Sequence, residues 1–280
     1  MKLKCSICED NFESAVSPHY RLSDNTVVCP NCQKIGELKE MFLEFDSRSC
    51  DSANSEVSED NQQLDAAYDV VNDFVDRINF VREFLYAKIG AHLKILDSIS
   101  NNQDIFWKES GDLPLFVFEG SFQYVVIKLK EFIGSKSKYS LGKIKNILLD
   151  NCSRFSKKIE MHGGWAIDET KSAFAQRHTI KNYVDKVDEV TKKYEATINA
   201  IKKLRDKRFA HLDAADVSSY YSELNCFDLK RIFNLLKIIY DGFLYLIAPD
   251  EYCSLIVPNN LQLVHLNNLA KFWSENRKSN

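Results

Sequence analysis

Apolar residues recur at steps of three and four positions through most of the chain after residue 64. The first run passes through Tyr68, Val71, Ile78, Leu85 and Leu93. This spacing places the apolar side chains on one face of a helix, so it predicts an amphipathic helix that continues to about residue 96. Further helices are predicted over residues 115–133, 140–149 (with a serine at the N-cap), 171–209, 227–247 and 259–276. Helices joined by modest connections favour a mostly α fold, a helical bundle.

The first 45 residues follow a different pattern, in which short apolar runs alternate with turns, and they predict a small β unit. Residues 46–63 are polar and acidic, and Val57 is their only large apolar residue. Such a segment buries too little apolar surface to offset the entropy of ordering, so it predicts a linker. We therefore expect a small domain over 1–45, an acidic linker over 46–63 and a helical domain over 64–280.

Two C-x-x-C pairs, Cys5 with Cys8 and Cys29 with Cys32, stand twenty residues apart in the small domain. Each pair places two thiolates on one tight turn, and two such turns supply the tetrahedral coordination of a structural zinc site. A redox pair would need a βαβ setting, and a catalytic zinc usually keeps an open position. His19 lies between the pairs as an alternative ligand. The pattern predicts a zinc ribbon that takes much of its stability from a structural Zn²⁺. It leaves open whether the ribbon binds nucleic acid, binds a protein or only braces the fold.

Composition adds limits on partners. The 280 residues carry a net charge of only -3, which excludes a uniformly basic nucleic-acid coat, so any nucleic-acid site must be a local patch. No apolar leader follows Met1. Charged residues interrupt the apolar segment 229–247, so it predicts a buried helix rather than a membrane span. We expect a cytoplasmic protein that does not enter a membrane.

The predicted helix over 171–209 ends in a basic run. Its apolar row includes Ile201 and Leu204, and the next positions of that row are Arg205, Arg208 and His211. Cationic groups in a core-facing row cost desolvation free energy unless they pair, or face a cleft or a second subunit. An ordinary solvated helix end is the alternative, because basic side chains complement the helix dipole at a C-terminus.

The segment from Arg205 to His211 resembles the R-x(4–6)-H motif of the HEPN superfamily, in which a polar residue such as Asp206 often follows the arginine. Other segments are similar to its abortive-infection, AbiU-like branch: Phe106-Trp107, residues 116–132 and the Ser140-Leu141 helix start. The resemblance covers about residues 64–250 and leaves the ribbon outside. It implies an HEPN-like helical bundle and a metal-independent endoribonuclease that works as a homodimer, with the two motifs brought together.

The resemblance assigns roles to the residues of the motif. Metal-independent RNA cleavage requires the 2′-hydroxyl to attack the adjacent phosphate. His211 is the expected general acid/base, because the ordinary histidine pKa of about 6.5 lies near neutrality. Arg205 is the expected phosphate clamp, and Asp206 would orient one of these side chains. The expected RNA-binding residues are Arg208, Lys207 and Lys202.

The spacing of the pair sets a geometric condition. Six residues along an ideal helix advance about 9 Å and rotate through about 240° net. Arg205 and His211 would then not meet on one phosphate unless the helix breaks near residues 209–210 or a second subunit completes the site. Six lysines between residues 128 and 145 against the single acid Glu131 form a candidate RNA track, with a solubilising surface as the alternative.

Two other functions fit the same residues. One is a non-catalytic module that binds nucleic acid or protein. The other is a scaffolding protein whose basic helix end pairs with acids across a dimer. Enzymatic activity is therefore a hypothesis, with RNA and a second copy of the chain as expected partners. An antiviral or toxin role would add an inhibitor or a phage-derived trigger protein.

Overall fold

Helices make up most of the residues that the structure describes, as the apolar spacing predicts. The structure, a computed structural model, describes residues 2–13, 20–46, 61–101, 113–134, 136–152, 155, 173–206 and 224–247. The predicted last helix over 259–276 lies outside these residues. The predicted mostly α architecture, with a small β unit at the N-terminus, is confirmed.

The N-terminal unit consists of two short antiparallel hairpins. Strand β1 (Lys2–Lys4) pairs with β2 (Asn11–Glu13), and β3 (Tyr20–Arg21) pairs with β4 (Val27–Val28). A 3₁₀ turn over Pro30–Cys32 leads into helix α1 (Gln33–Asp46). We call residues 2–46 the ribbon.

Helix α1 begins where the sequence pattern predicted strands and turns to continue. Its residues are mostly good helix formers, and Ile35 and Leu38 lie three apart and are fully buried. Gly36 lets the helix approach the β3–β4 hairpin closely, because a Cβ at this position would lie only 3.2 Å from the Leu22 side chain. The helix therefore closes one side of the ribbon core.

The next three elements form one nearly continuous rod. Helix α2 (Asn61–Glu83) passes through a π-helical segment (Phe84–Ile89) into α3 (Gly90–Asn101). Val71, Ile78 and Leu85 of the predicted row are fully buried, and Leu93 is nearly so. Helix α1 ends at the start of the predicted linker, and α2 begins two residues before the predicted end of that linker. Residues 47–60 lie outside the description, so the division into domains stays a prediction.

The described residues form five further helices of the bundle: α4 (Leu113–Ile133), α5 (Leu141–Asp150), α6 (Ala173–Lys193), α7 (Glu195–Leu204) and α8 (Cys226–Ile247). Ser140 is the N-cap of α5 by its backbone conformation, but its buried hydroxyl makes no capping hydrogen bond. Helix α8 packs against α1, α2, α3, α4 and α7. It is the central helix of the described structure, which explains its apolar residues on nearly every side.

The predicted long helix over 171–209 is two helices. Tyr194 interrupts it with φ −98° and ψ 14°, and its own N–H donates to the Thr191 carbonyl in a tight turn. Neither glycine nor proline marks this break in the sequence. The break coincides with a tertiary contact, because the Tyr194 hydroxyl donates to a carbonyl of the ribbon, that of Asn31, at 2.6 Å.

Candidate metal site and basic helix end

The four paired cysteines converge in the ribbon. Cys5 and Cys8 lie in the turn after β1, and Cys29 and Cys32 flank the 3₁₀ turn after β4. All four are buried, and their sulfur atoms lie within 4.8 Å of one another. The predicted cluster is thus present, and it could hold a metal ion.

The surroundings of the sulfur atoms suit a metal-bound thiolate. The backbone N–H groups of Ile7 and Cys29 each donate to the Cys5 sulfur at 3.4 Å. Such donors stabilise negative charge on a ligand sulfur. Hydrogen bonding with Cys29 and burial raise the pKa of the Cys32 thiol. Four buried thiols this close ionise together only when a cation offsets their mutual repulsion, so the donor set fits a divalent, thiophilic ion.

The ribbon packs directly on the bundle through its second cysteine turn. The Arg231 Nε–H of α8 donates to the Cys32 sulfur at 3.4 Å, and the Tyr194 hydroxyl donates to the Asn31 carbonyl inside the same turn. Residues 194 and 231 are far from the cysteines in sequence, so no local pattern could reveal these contacts. The bundle therefore forms part of the surroundings of the metal-type site.

Contacts on either side of that turn extend the interface. The Asn234 amide of α8 donates to the Ile7 carbonyl in the first cysteine turn. The buried Lys230 side chain lies 3.4 Å from Glu9 of the ribbon and 2.5 Å from Asp97 of α3. Along α1, two ion pairs reach α6: Lys34 with Glu189, and Lys186 with Glu37. Buried apolar residues of the ribbon and of the bundle also belong to one hydrophobic core.

The basic helix end is placed differently. Arg205 and Asp206 directly follow α7, and the Arg205 Nη1–H donates to the Asp206 carboxylate at 2.7 Å. The side chains of Arg205 and Asp206 are 40% and 54% exposed. Leu204, one residue earlier, is buried. Arg205 thus leaves the core-facing row and forms an ion pair at the surface, where the cost of desolvation is small.

A lysine from a neighbouring helix reaches the same carboxylate. Lys130 of α4 lies 3.6 Å from Asp206, which brings one member of the predicted lysine-rich segment beside Arg205. The hydrogen bond from Arg205, and then the positive charge of Lys130, lower the pKa of Asp206. Two other lysines of that segment are paired elsewhere: Lys128 with Glu131, and Lys145 with Asp188. The segment is therefore partly a paired surface.

Other predicted site residues are placed less completely. Lys202 lies half-buried on α7, three residues before Arg205. His211, Arg208 and Lys207 lie outside the described residues, as does His19, so their roles stay predictions.

These features define a class: a mostly helical protein in which a four-cysteine ribbon is docked on a bundle that carries a basic helix end. Residues 111–241 match the model of the HEPN_AbiU2 family, described as AbiU2. The match covers a little under half of the chain and includes Arg205 and His211, but neither the ribbon nor Phe106-Trp107. The predicted resemblance to HEPN modules of the abortive-infection type is confirmed for this segment.

No curated protein and no solved structure matches the chain. Among the described helices, none has both the length and the apolar character needed to span a membrane.

Proposed function

We propose that this protein is a metal-independent endoribonuclease of antiviral or toxin type. The observation that carries the proposal is the family match over residues 111–241, which spans the whole segment from Arg205 to His211. The exposed position of Arg205 at a helix end supports it, because a phosphate of an RNA strand can reach a guanidinium there.

In the proposed reaction, the 2′-oxygen of RNA forms a bond to the adjacent phosphorus while the bond from phosphorus to the 5′-oxygen breaks. His211 accepts the proton of the 2′-hydroxyl or donates one to the leaving 5′-oxygen. Arg205 donates hydrogen bonds to the phosphate oxygens as negative charge develops on them. The products are a 2′,3′-cyclic phosphate and a free 5′-hydroxyl, and the proposed step assigns no role to a metal ion.

Asp206 has a defined place in this scheme. Its carboxylate accepts a hydrogen bond from Arg205 and lies near Lys130, so it holds two cations side by side. A bound phosphate would replace the Asp206 carboxylate as the anionic partner of Arg205 and Lys130. Lys202, Lys207 and Arg208 would extend the contact along the RNA backbone.

A homodimer would complete the site. Arg205 and His211 lie six residues apart, which on a helix separates them by about 9 Å. Two copies with their helix ends facing each other would place Arg205 of one copy near His211 of the other. The shared phosphate would then bind between the subunits.

The proposed ion of the four-cysteine site is Zn²⁺ in a structural role. Four thiolates match its preference for sulfur in a tetrahedral shell, and they leave no open position for water. The ribbon would then stabilise the protein without entering the reaction.

The test compares purified full-length protein with the Arg205→Ala and His211→Ala variants on a labelled RNA. EDTA is added at the start of the assay to capture Mg²⁺, and the zinc content is measured afterwards. Arg77→Ala is the matched control, because Arg77 also pairs with an exposed aspartate, Asp73, at 2.7 Å. We expect cyclic-phosphate ends from the unsubstituted chain and the control only.

Equal cleavage by all four proteins would contradict the assigned roles. Salt-dependent RNA binding without cleavage would instead favour the non-catalytic module.

A further inference from the structure

The second cysteine turn is contacted by two side chains that belong to the bundle. The Arg231 Nε–H donates to the Cys32 sulfur, while its Nη1–H donates to Asp228 at 2.7 Å. The Arg231 side chain is only 11% exposed. The Tyr194 hydroxyl donates to Asn31, the residue before Cys32. The second cysteine turn, which would supply two of the four metal ligands, is therefore contacted by α8 and by the residue at the α6–α7 break.

The contact made by Arg231 depends on the charge of the site. Four thiolates around a divalent cation carry a net charge of minus two, and a buried guanidinium beside them offsets part of it. The hydrogen bond to Cys32 is consequently stronger in the metal-loaded protein.

Tyr194 connects the same turn to the course of α7. Burial, and then the charge of Cys32, raise the pKa of the Tyr194 hydroxyl, so it stays a protonated donor to Asn31. Tyr194 is also the N-cap of α7, and Ile198, Ile201 and Leu204 fix one face of that helix in the core. Arg205 follows eleven residues after Tyr194, which is roughly 16 Å along a helix. A shift of the cysteine turn would therefore move Tyr194, at the start of the helix that precedes Arg205.

We propose that Arg231 and Tyr194 are positioning residues that couple metal loading of the four-cysteine site to the course of α7. The coupling is reciprocal, because contacts that favour the metal-loaded ribbon must also raise its affinity for the metal. The coupling does not require ribonuclease activity. Only its consequence, control of where Arg205 lies, rests on the proposed function.

The first test measures the Zn²⁺ affinity of the full chain by competition with a chromophoric chelator. Arg231→Gln is expected to raise the dissociation constant about 10- to 100-fold, as loss of a hydrogen-bond partner of a metal ligand does in other proteins. Tyr194→Phe is expected to raise it by a smaller factor. The matched controls, Arg77→Gln and Tyr240→Phe, are expected to leave it unchanged. Tyr240 also donates its hydroxyl to a backbone carbonyl, that of Tyr139 at 2.8 Å, but within the bundle.

The second test follows amide hydrogen exchange of the unsubstituted chain with and without Zn²⁺. Removal of the ion is expected to accelerate exchange in α7 more than in α3, which packs against α4 and α8. In Tyr194→Phe the effect of Zn²⁺ on α7 is expected to shrink. Neither readout requires RNA cleavage, so an inactive protein would leave this test intact.

Two outcomes would overturn the proposal. The first is an Arg231→Gln variant that binds Zn²⁺ as tightly as the unsubstituted chain. The second is exchange that responds equally in α3 and α7 when Zn²⁺ is removed, because this would indicate a general loss of stability rather than a path through Tyr194.

Discussion

The four-cysteine turns and the basic helix end both appear in the sequence as short motifs, but the structure fixes them to different degrees. In the ribbon, the four buried sulfur atoms of the motif lie within 4.8 Å of one another. They accept hydrogen bonds from two backbone N–H groups and from Arg231. At the helix end, Arg205 is exposed and pairs with its neighbour Asp206. Folding alone therefore brings the cysteine residues together. In the proposed function, the basic helix end is completed only by bound RNA or by a second copy of the chain.

The largest effect is expected from Cys8→Ser, because it removes one of the four proposed zinc ligands. We expect loss of bound zinc and a decrease in the free energy of unfolding of roughly 4 kcal/mol or more, since loss of a metal is among the most destabilising changes. Metal content and thermal unfolding measure both effects. Cys152→Ser is the control, because this buried thiol donates to the Leu148 carbonyl and takes no part in the cluster. Retention of zinc by Cys8→Ser would show that the cysteines do not bind it together.

The next effect concerns the basic helix end. Arg205→Ala and His211→Ala are each expected to lower the cleavage rate by about 10²- to 10³-fold. If one phosphate is shared across a dimer, subunits of the two variants mixed together form hybrids with one intact pair. We expect the mixture to regain about a quarter of the unsubstituted rate, because half of the dimers are hybrids and each has one working site. A mixture as inactive as its parts would place the pair within one subunit or exclude subunit exchange, which a labelled-subunit assay distinguishes.

A smaller effect is expected at the boundary between the two regions. Asn234→Ala removes the hydrogen bond from α8 to the Ile7 carbonyl in the first cysteine turn. We expect a loss of about 1–2 kcal/mol in the free energy of unfolding, as for a buried carbonyl left without its donor. Chemical denaturation of the zinc-loaded chain measures it. No change in stability would mean that the ribbon docks mainly through its apolar contacts.

The smallest effect is a titration at the exposed ion pair. Because hydrogen bonding to Arg205 and the charge of Lys130 lower the pKa of Asp206, its carboxylate stays ionised until the pH falls below the ordinary aspartate range. What little stability it contributes is present above the unfolded-state pKa and is lost as the pH falls through the lower folded-state pKa. Carbon-detected NMR should show the pKa of Asp206 rising in Arg205→Ala and rising less in Lys130→Ala. An equal Asp206 pKa in the unsubstituted chain and both variants would show that neither Arg205 nor Lys130 interacts with this carboxylate.

Most helices and the cysteine cluster could be predicted because their causes are local. A row such as Ile198, Ile201 and Leu204 determines which face of a helix is buried, and a C-x-x-C pair determines its own turn. The Tyr194–Asn31 and Arg231–Cys32 contacts could not be predicted, because each joins residues more than 160 positions apart. The pairing of Arg205 with Asp206 is between neighbours, but the approach of Lys130 depends on how α4 packs against α7.

The distance along the chain between Cys32 and Arg231 also gives assembly an order in time. Both cysteine turns are complete once Cys32 has been added to the growing chain, whereas Arg231 is added 199 residues after Cys32. At about 5–20 residues per second, this interval lasts roughly 10–40 s. The nascent ribbon can therefore take up an ion long before its support on α8 exists. Helix α7, which leads to Arg205, gains α8 as a neighbour only after the segment around Arg231 has been added, so the activity proposed there would appear after the ribbon has formed.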